Sequence, residues 1–329
     1  MSTTATTIEH APPRPGGGAR AFIGRLRNGD EVAHLITLVF ASSILLITIM
    51  LVWELWVNCH LSRALFGWAF FKTSTWDPVF NNFGALPFIY GTLVTSVLAL
   101  ILSIPLGLAA AIFLSELAPR RISDTISFMI DLLAAVPSVI YGLLGIFVVI
   151  PLMRTVIGPA LKHTLGFLPL FQGPNYGVGF LTAGIVLTIM VVPFIISVSR
   201  EVLLTVPRDQ REAALALGAT RWESTWKVVV PWARTGILGS IFLALARALG
   251  ETMAVTMVIG NDPKISASLF SPGYSIAAVI ANEFSEAFSD MHLSALIELG
   301  LVLFLMTFIL NGLARLLIIA TERGGGHPS

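Results

Sequence analysis

A chain of 329 residues, 55% hydrophobic and 12% charged, carries about half the roughly 25% of charged residues usual in soluble domains, and with a mean hydropathy of +0.85 it is neither a soluble globule nor a disordered chain. A net charge of +1 offers no basic field to a nucleic-acid backbone, and the one cysteine, Cys59, can close no intramolecular disulfide and build no thiolate metal site. The class that remains is an all-α polytopic membrane protein.

Residues 1–31 hold Pro12, Pro13, Pro15 and the run Gly16 to Gly18, a composition that predicts a disordered tail. A helix needs about 20 apolar residues to span the hydrocarbon. That rule predicts six transmembrane helices, near residues 35–57, 88–115, 125–150, 179–199, 235–261 and 293–320. The first run is longer than the roughly 7–15 residues of a signal-peptide core. Pro105 and Pro137 read as kinks in the second and third spans, and Asp131 as a polar contact near the inner end of the third. Glu298 and Arg315 read as snorkelling ends of the sixth. Residues 158–179 are dense in Gly and Pro, which predicts a loop. Between Ser275 and Phe288, Ile276, Val279, Ile280 and Phe284 recur at helical intervals, predicting a short helix lying on the outer surface or dipping into it. With the N-terminus inside, the inner pieces hold 14 Lys and Arg and the outer loops 5, so both termini are expected in the cytoplasm. The six His residues show no metal-ligand spacing, and without a Gly-Lys dipeptide there is no P-loop for ATP. No cofactor or metal is expected.

The inner connection over residues 200–234 is the long one. Pro207 suits the first turn of a helix, Asp209 and Glu212 place acid near its N-terminus, and Ala213, Ala214, Leu215, Ala216 and Leu217 are good helix formers. Gly218 reads as its stop, and a second helix is expected from about Thr220 to just before Pro231. The result is a helix–turn–helix at the inner face. From shape alone it is either a plain surface hairpin or a docking element.

In the fifth span Arg247 is expected one residue from the middle, with Glu251 at i+4 on the same face, roughly 6 Å along the axis. Charge at that depth costs about 2.5–3.5 kcal/mol on insertion scales and belongs in a bundle interior or a watery path. One reading is a structural ion pair. The other is an anion relay, in which the guanidinium fork meets substrate oxygens, Glu251 steadies it or accepts from a protonated oxygen, and Thr252 and Thr256 add hydroxyls.

Glu212-Ala213-Ala214, Gly218 and, after nine residues, Val228-x-Val230-Pro231 resemble the EAA loop of ABC importer permeases, with two Val departures from its Ile-x-Leu-Pro ending. The stretch from Arg247 through Gly250-Glu251-Thr252 to Gly260-Asn261 is similar to the fifth span of the phosphate-specific permeases, closest to their PstC type. Leu114-Ser-Glu-Leu-Ala-Pro119 and Ala135-Val-Pro137-Ser138-Val-Ile-Tyr141-Gly142 resemble the same family. The resemblance covers about residues 91–311. It implies a type I ABC importer permease fold: a tail over 1–31, a first span and periplasmic loop over 32–90, a permease domain over 91–312 with its coupling loop at 200–234, and an end over 313–329. It also implies that Glu212, Ala213, Ala214, Gly218 and Pro231 serve ATPase coupling and that Arg247 and Glu251 are needed for transport. The implied partners are a second, PstA-type permease, a dimer of PstB-type ATPase subunits, a periplasmic PstS-type phosphate-binding protein, phosphate and membrane lipid, with no nucleic acid. The implied location is the bacterial inner membrane. The chain itself is a transport subunit and not an enzyme. A permease for another oxyanion and a proton-coupled secondary anion transporter are the alternatives.

Overall fold

A computed structural model of the chain describes residues 30–324, with side chains for residues 33–319. The tail expectation, up to residue 29, and the last five residues lie outside the described residues. The chain divides into two compact units, residues 1–54 and 55–329. In the first, the described part is the helix α1 (Asp30–Asn58) as far as Glu54; it carries no Asp, Glu, Lys or Arg between Glu31 and Glu54.

The second unit contains α2 (His60–Phe66), α3 (Leu86–Leu117), α4 (Arg120–Ala134), α5 (Ser138–Leu165) and α6 (Phe180–Leu204). It continues with α7 (Arg208–Ala216), α8 (Arg221–Leu249), α9 (Met253–Ile259), α10 (Ile276–Glu283) and α11 (Asp290–Gly324). Among the described residues six helices are long and apolar enough to cross a membrane: α1, α3, α5, α6, α8 and α11.

The centre of this unit is the pair α3 and α6. Small residues let the two backbones approach: a Cβ at Gly107 would stand 2.7 Å from Ile195 Cγ2. The Thr188 hydroxyl of α6 reaches both Gly184 O (2.7 Å) and Ala99 O of α3 (3.4 Å). Ser199 of α6 meets Ser240 of α8 at 2.7 Å, a buried polar link between spans. Three apolar clusters stack along this axis. Phe70, Phe83, Phe88, Ile276 and Leu299 form one at one end, Leu187, Met190, Val255 and Ile259 lie in the second, and Leu114, Leu203, Val229 and Ala233 form the one at the opposite end.

Several expectations need correction. The third span does not begin near residue 125. Residues 120–134 form the separate amphipathic helix α4, and the crossing helix starts at Ser138. Pro137 is therefore the N-cap of α5 and not a mid-span kink, because a proline disfavours helical geometry in the residue before it. Asp131 does join an inner polar network, accepting from Ser197 Oγ at 2.8 Å. The expected loop at 158–179 is helical as far as Leu165. The helix at Ile276–Glu283 dips inward, with Ile276, Ala278 and Val279 fully buried. Glu298 does not snorkel: it is 4% exposed.

Pro231 also fails to stop a helix. A wide π turn, Thr225–Val229, precedes it, as Gly145–Val149 precedes Pro151 and Met153–Ile157 precedes Pro159. A proline lacks an N–H and presses on the carbonyl four residues back, and the wider turn absorbs both, so α8 runs on to Leu249.

Candidate functional site

Two regions carry the residues singled out in the sequence. The first is α7 and its turn. Pro207 caps α7 with extended geometry, and Asp209 lies in its first turn. The end is closed by the Ala219 N–H on Ala214 O (3.1 Å) and the Gly218 N–H on Leu215 O (3.0 Å), with Gly218 at φ +85°. That is a Schellman closure, and it requires the left-handed backbone that glycine adopts without penalty. Thr220 and Glu223 then form a reciprocal capping box that starts α8. Glu212 and Ala213 are exposed on α7 and Ala214 is half-buried; Pro231 lies farther along, inside α8.

What fastens α7 to the spans is a residue that sequence reasoning counted only as a charge. The Arg211 fork donates from Nε to Glu116 Oε2 (3.0 Å) and from Nη2 to Glu116 Oε1 (2.8 Å). It also donates to Leu203 O (2.8 Å) and to Val206 O at the end of α6. The Glu116 side chain is 9% exposed and that of Arg211 21%, so the pair is largely removed from water and its fork geometry is fully used. One side chain therefore ties α7 to the adjoining ends of α3 and α6. The partners are 95 positions apart, beyond the reach of any local motif.

The second region surrounds Arg247. The helix expected to carry it through to residue 261 instead ends at Leu249, and α9 starts at Met253. Gly250 weakens a helix by about 1 kcal/mol relative to alanine. Glu251 then caps the new one, its Oε1 accepting the Ala254 N–H at 3.1 Å. The two charges thus do not share a continuous helix face at i+4, and among the described residues no ion pair joins them. The paired reading fails for that reason: the carboxylate is engaged with backbone.

Arg247 nevertheless lies beside the middle of α6. Its guanidinium carbon is 5.7 Å from the centre of the Phe194 ring. Phe194 is two residues past Val192, the midpoint of the 25-residue α6. Tyr141, whose hydroxyl donates to Leu133 O at 2.7 Å, is within electrostatic reach. Half-buried, the guanidinium has neither a hydrogen bond nor an ion pair among the described residues. The Thr256 hydroxyl donates to Thr252 O (2.7 Å), and that of Thr252 leans toward Gly250 O (3.4 Å), so both are partly engaged by backbone.

The described residues thus form a multi-pass bundle with a short helix, α7, fastened to two of its spans. Residues 103–321 match the family described as the binding-protein-dependent transport system inner membrane component, and the chain belongs to that family. The chain is 41% identical over 325 residues to the phosphate transport system permease protein PstC of Mesorhizobium japonicum, covering 98% of this chain and 99% of that protein. It is 50% identical over 265 residues to PstC of Xylella fastidiosa, covering 79% and 82%. It is a member of the PstC-type permeases. Among solved structures, a bacterial ABC transporter involved in alginate import is 16% identical, with a TM-score of 0.57 over 90% of this chain and 98% of that one. The MetNI methionine ABC transporter, in an inward-facing conformation, is also 16% identical, with a TM-score of 0.52 over 75% and 99%. These two likenesses establish the ABC importer permease fold.

Proposed function

We infer that this chain is one permease half of an ATP-driven importer of inorganic phosphate. The observation that carries the reading is the pairing of a docking helix, fastened by Arg211 and Glu116, with an unpaired guanidinium at mid-depth, in a chain whose relatives are phosphate transport permeases. In this reading α7, with Glu212, Ala213, Ala214 and Gly218, seats in a PstB-type ATPase subunit, of which two copies serve the complex. Pro231 and its π turn carry the motion into α8. A PstA-type permease forms the other half of the path, and a PstS-type binding protein delivers phosphate from the periplasmic side. The membrane is the bacterial inner membrane, with both termini cytoplasmic and lipid around the spans.

Transport follows by alternating access. Closure of the ATPase pair pulls α7, and Arg211 passes the displacement to α3 and α6. Phosphate then moves past Arg247, whose planar fork offers paired donors to two oxygens and stays charged in the membrane. Glu251 keeps the break in shape by capping α9, and Thr252 and Thr256 border the path. Specificity against other oxyanions would rest on these few groups.

The test is reconstitution. The chain purified with its partners in proteoliposomes is expected to accumulate phosphate only with ATP. Accumulation driven by a proton gradient, with no ATPase subunit present, would replace this reading with the secondary-transporter one.

A further inference from the structure

We propose that a half-open cavity at the inner ends of α3, α4, α6 and α7 binds a phosphate group, either inorganic phosphate or the phosphate of an anionic lipid headgroup. The cavity has a volume of about 650 Å³ and sits between the docking helix and the spans, away from Arg247. Four guanidinium groups line it: Arg120, Arg200, Arg208 and Arg211.

The charges are not all equally engaged. Arg211 is consumed by Glu116. Arg200 reaches Asp124 Oδ1 at 3.5 Å, Glu201 Oε1 at 3.0 Å and Ser123 Oγ at 3.2 Å, but its Nε is buried without a partner among the described residues. A buried N–H without an acceptor is uncommon and costly. Arg120 and Arg208 make no ion pair or side-chain hydrogen bond among the described residues, although both line the cavity. Of the carboxylates lining it, Glu116 and Asp124 already face a guanidinium, and Glu212 is exposed. Two complete forks are therefore left over against one carboxylate, Glu212, all three exposed and without a side-chain partner among the described residues.

The backbone adds to the field. Arg120 and Arg208 are the first residues of α4 and α7, 15 and 9 residues long, and neither helix start has a side-chain cap. Two uncapped positive helix ends meet one cavity, and each favours an anion. A tetrahedral phosphate group, with acceptor oxygens pointing in several directions, suits two forks and two helix ends better than a planar carboxylate does, and the volume leaves room for whatever the phosphate is attached to. The occupant would bridge α4 and α7, and so join α7 to a third element besides α3 and α6. The site stands whatever the chain transports.

The test uses the purified complex in nanodiscs, without the periplasmic binding protein. Two readouts are taken. One is equilibrium binding of radiolabelled orthophosphate in phosphatidylcholine discs; the other is phosphatidylglycerol retained on the complex, measured by native mass spectrometry. Arg120→Gln is the first variant, since Arg120 holds no partner whose loss would unmake the fold, and Arg208→Gln is the second. A drop of tenfold or more in orthophosphate affinity in either variant supports a free-phosphate site. Loss of retained phosphatidylglycerol with orthophosphate binding unchanged supports the headgroup. Arg247→Gln must leave the affected component in place, which separates this site from the transport path. Both variants binding orthophosphate and retaining phosphatidylglycerol like the parent overturns the proposal.

Discussion

The short helix α7 with its turn and the break after Leu249 both interrupt the run of long spans, and they are finished in opposite ways. Around α7 the exposed ends are closed: a Schellman turn at Gly218, a capping box at Thr220 and Glu223, and a bidentate ion pair from Arg211 to Glu116. Around the break, Glu251 caps α9, but among the described residues the Arg247 guanidinium meets an aromatic ring and no hydrogen-bond acceptor. The contrast follows from what each must do. On the proposed function, α7 would be a lever, which transmits a displacement only if its joints do not yield, and Arg247 a pathway group, which must stay available to a passing ligand.

The largest expected effect on stability comes from the lever. Arg211→Ala strands Glu116 in a nearly dry site and should cost about 3 kcal/mol, read by denaturant titration of the purified complex. Arg211→Lys, which keeps the charge and loses the fork, should fall between the two. An unchanged midpoint for both variants would mean that α7 is held by something else. Gly218→Ala comes next, since a side chain in the left-handed region costs about 1–2 kcal/mol; ATPase co-purification should weaken with it. Glu251→Ala removes one cap, worth about 1 kcal/mol. It should therefore disturb stability less than Arg211→Ala, and the reverse order in denaturant titration would erase the contrast. The smallest effect concerns Cys59, fully buried. Burial pushes its thiol above the ordinary range, so less thiolate is present at neutral pH. Maleimide should label the native chain at least tenfold more slowly than the unfolded one, leaving a silent background for cysteines introduced at the two regions.

Much of this was legible in the chain. Long uncharged runs fix most of the spans, because hydrocarbon leaves a backbone few alternatives to a helix. Pro207, Gly218 and Thr220 announce the ends of the docking helices through local chemistry that needs no partner. Other features were hidden for physical reasons. The apolar side chains of residues 122–133 run on toward α5, so α4 read as the start of a span until Pro137 was seen as a boundary. The break at Gly250 lies inside a run that stays apolar on average despite Arg247 and Glu251, so hydropathy reads it as one span. The π turn before Pro231 depends on how a helix accommodates a proline. Arg211 and Glu116 meet only because α3, α6 and α7 converge.

The central claim is that motion of the gripped inner helix drives an anion past a free cation at mid-depth. Arg247→Gln, reconstituted with its partners, tests it most directly through ATP-dependent phosphate uptake and ATP hydrolysis measured on the same vesicles. A charge-assisted hydrogen bond is worth about 1.5–3 kcal/mol, so uptake should fall roughly 10- to 100-fold while assembly and hydrolysis persist. Uptake at the parent rate in that variant would contradict the account.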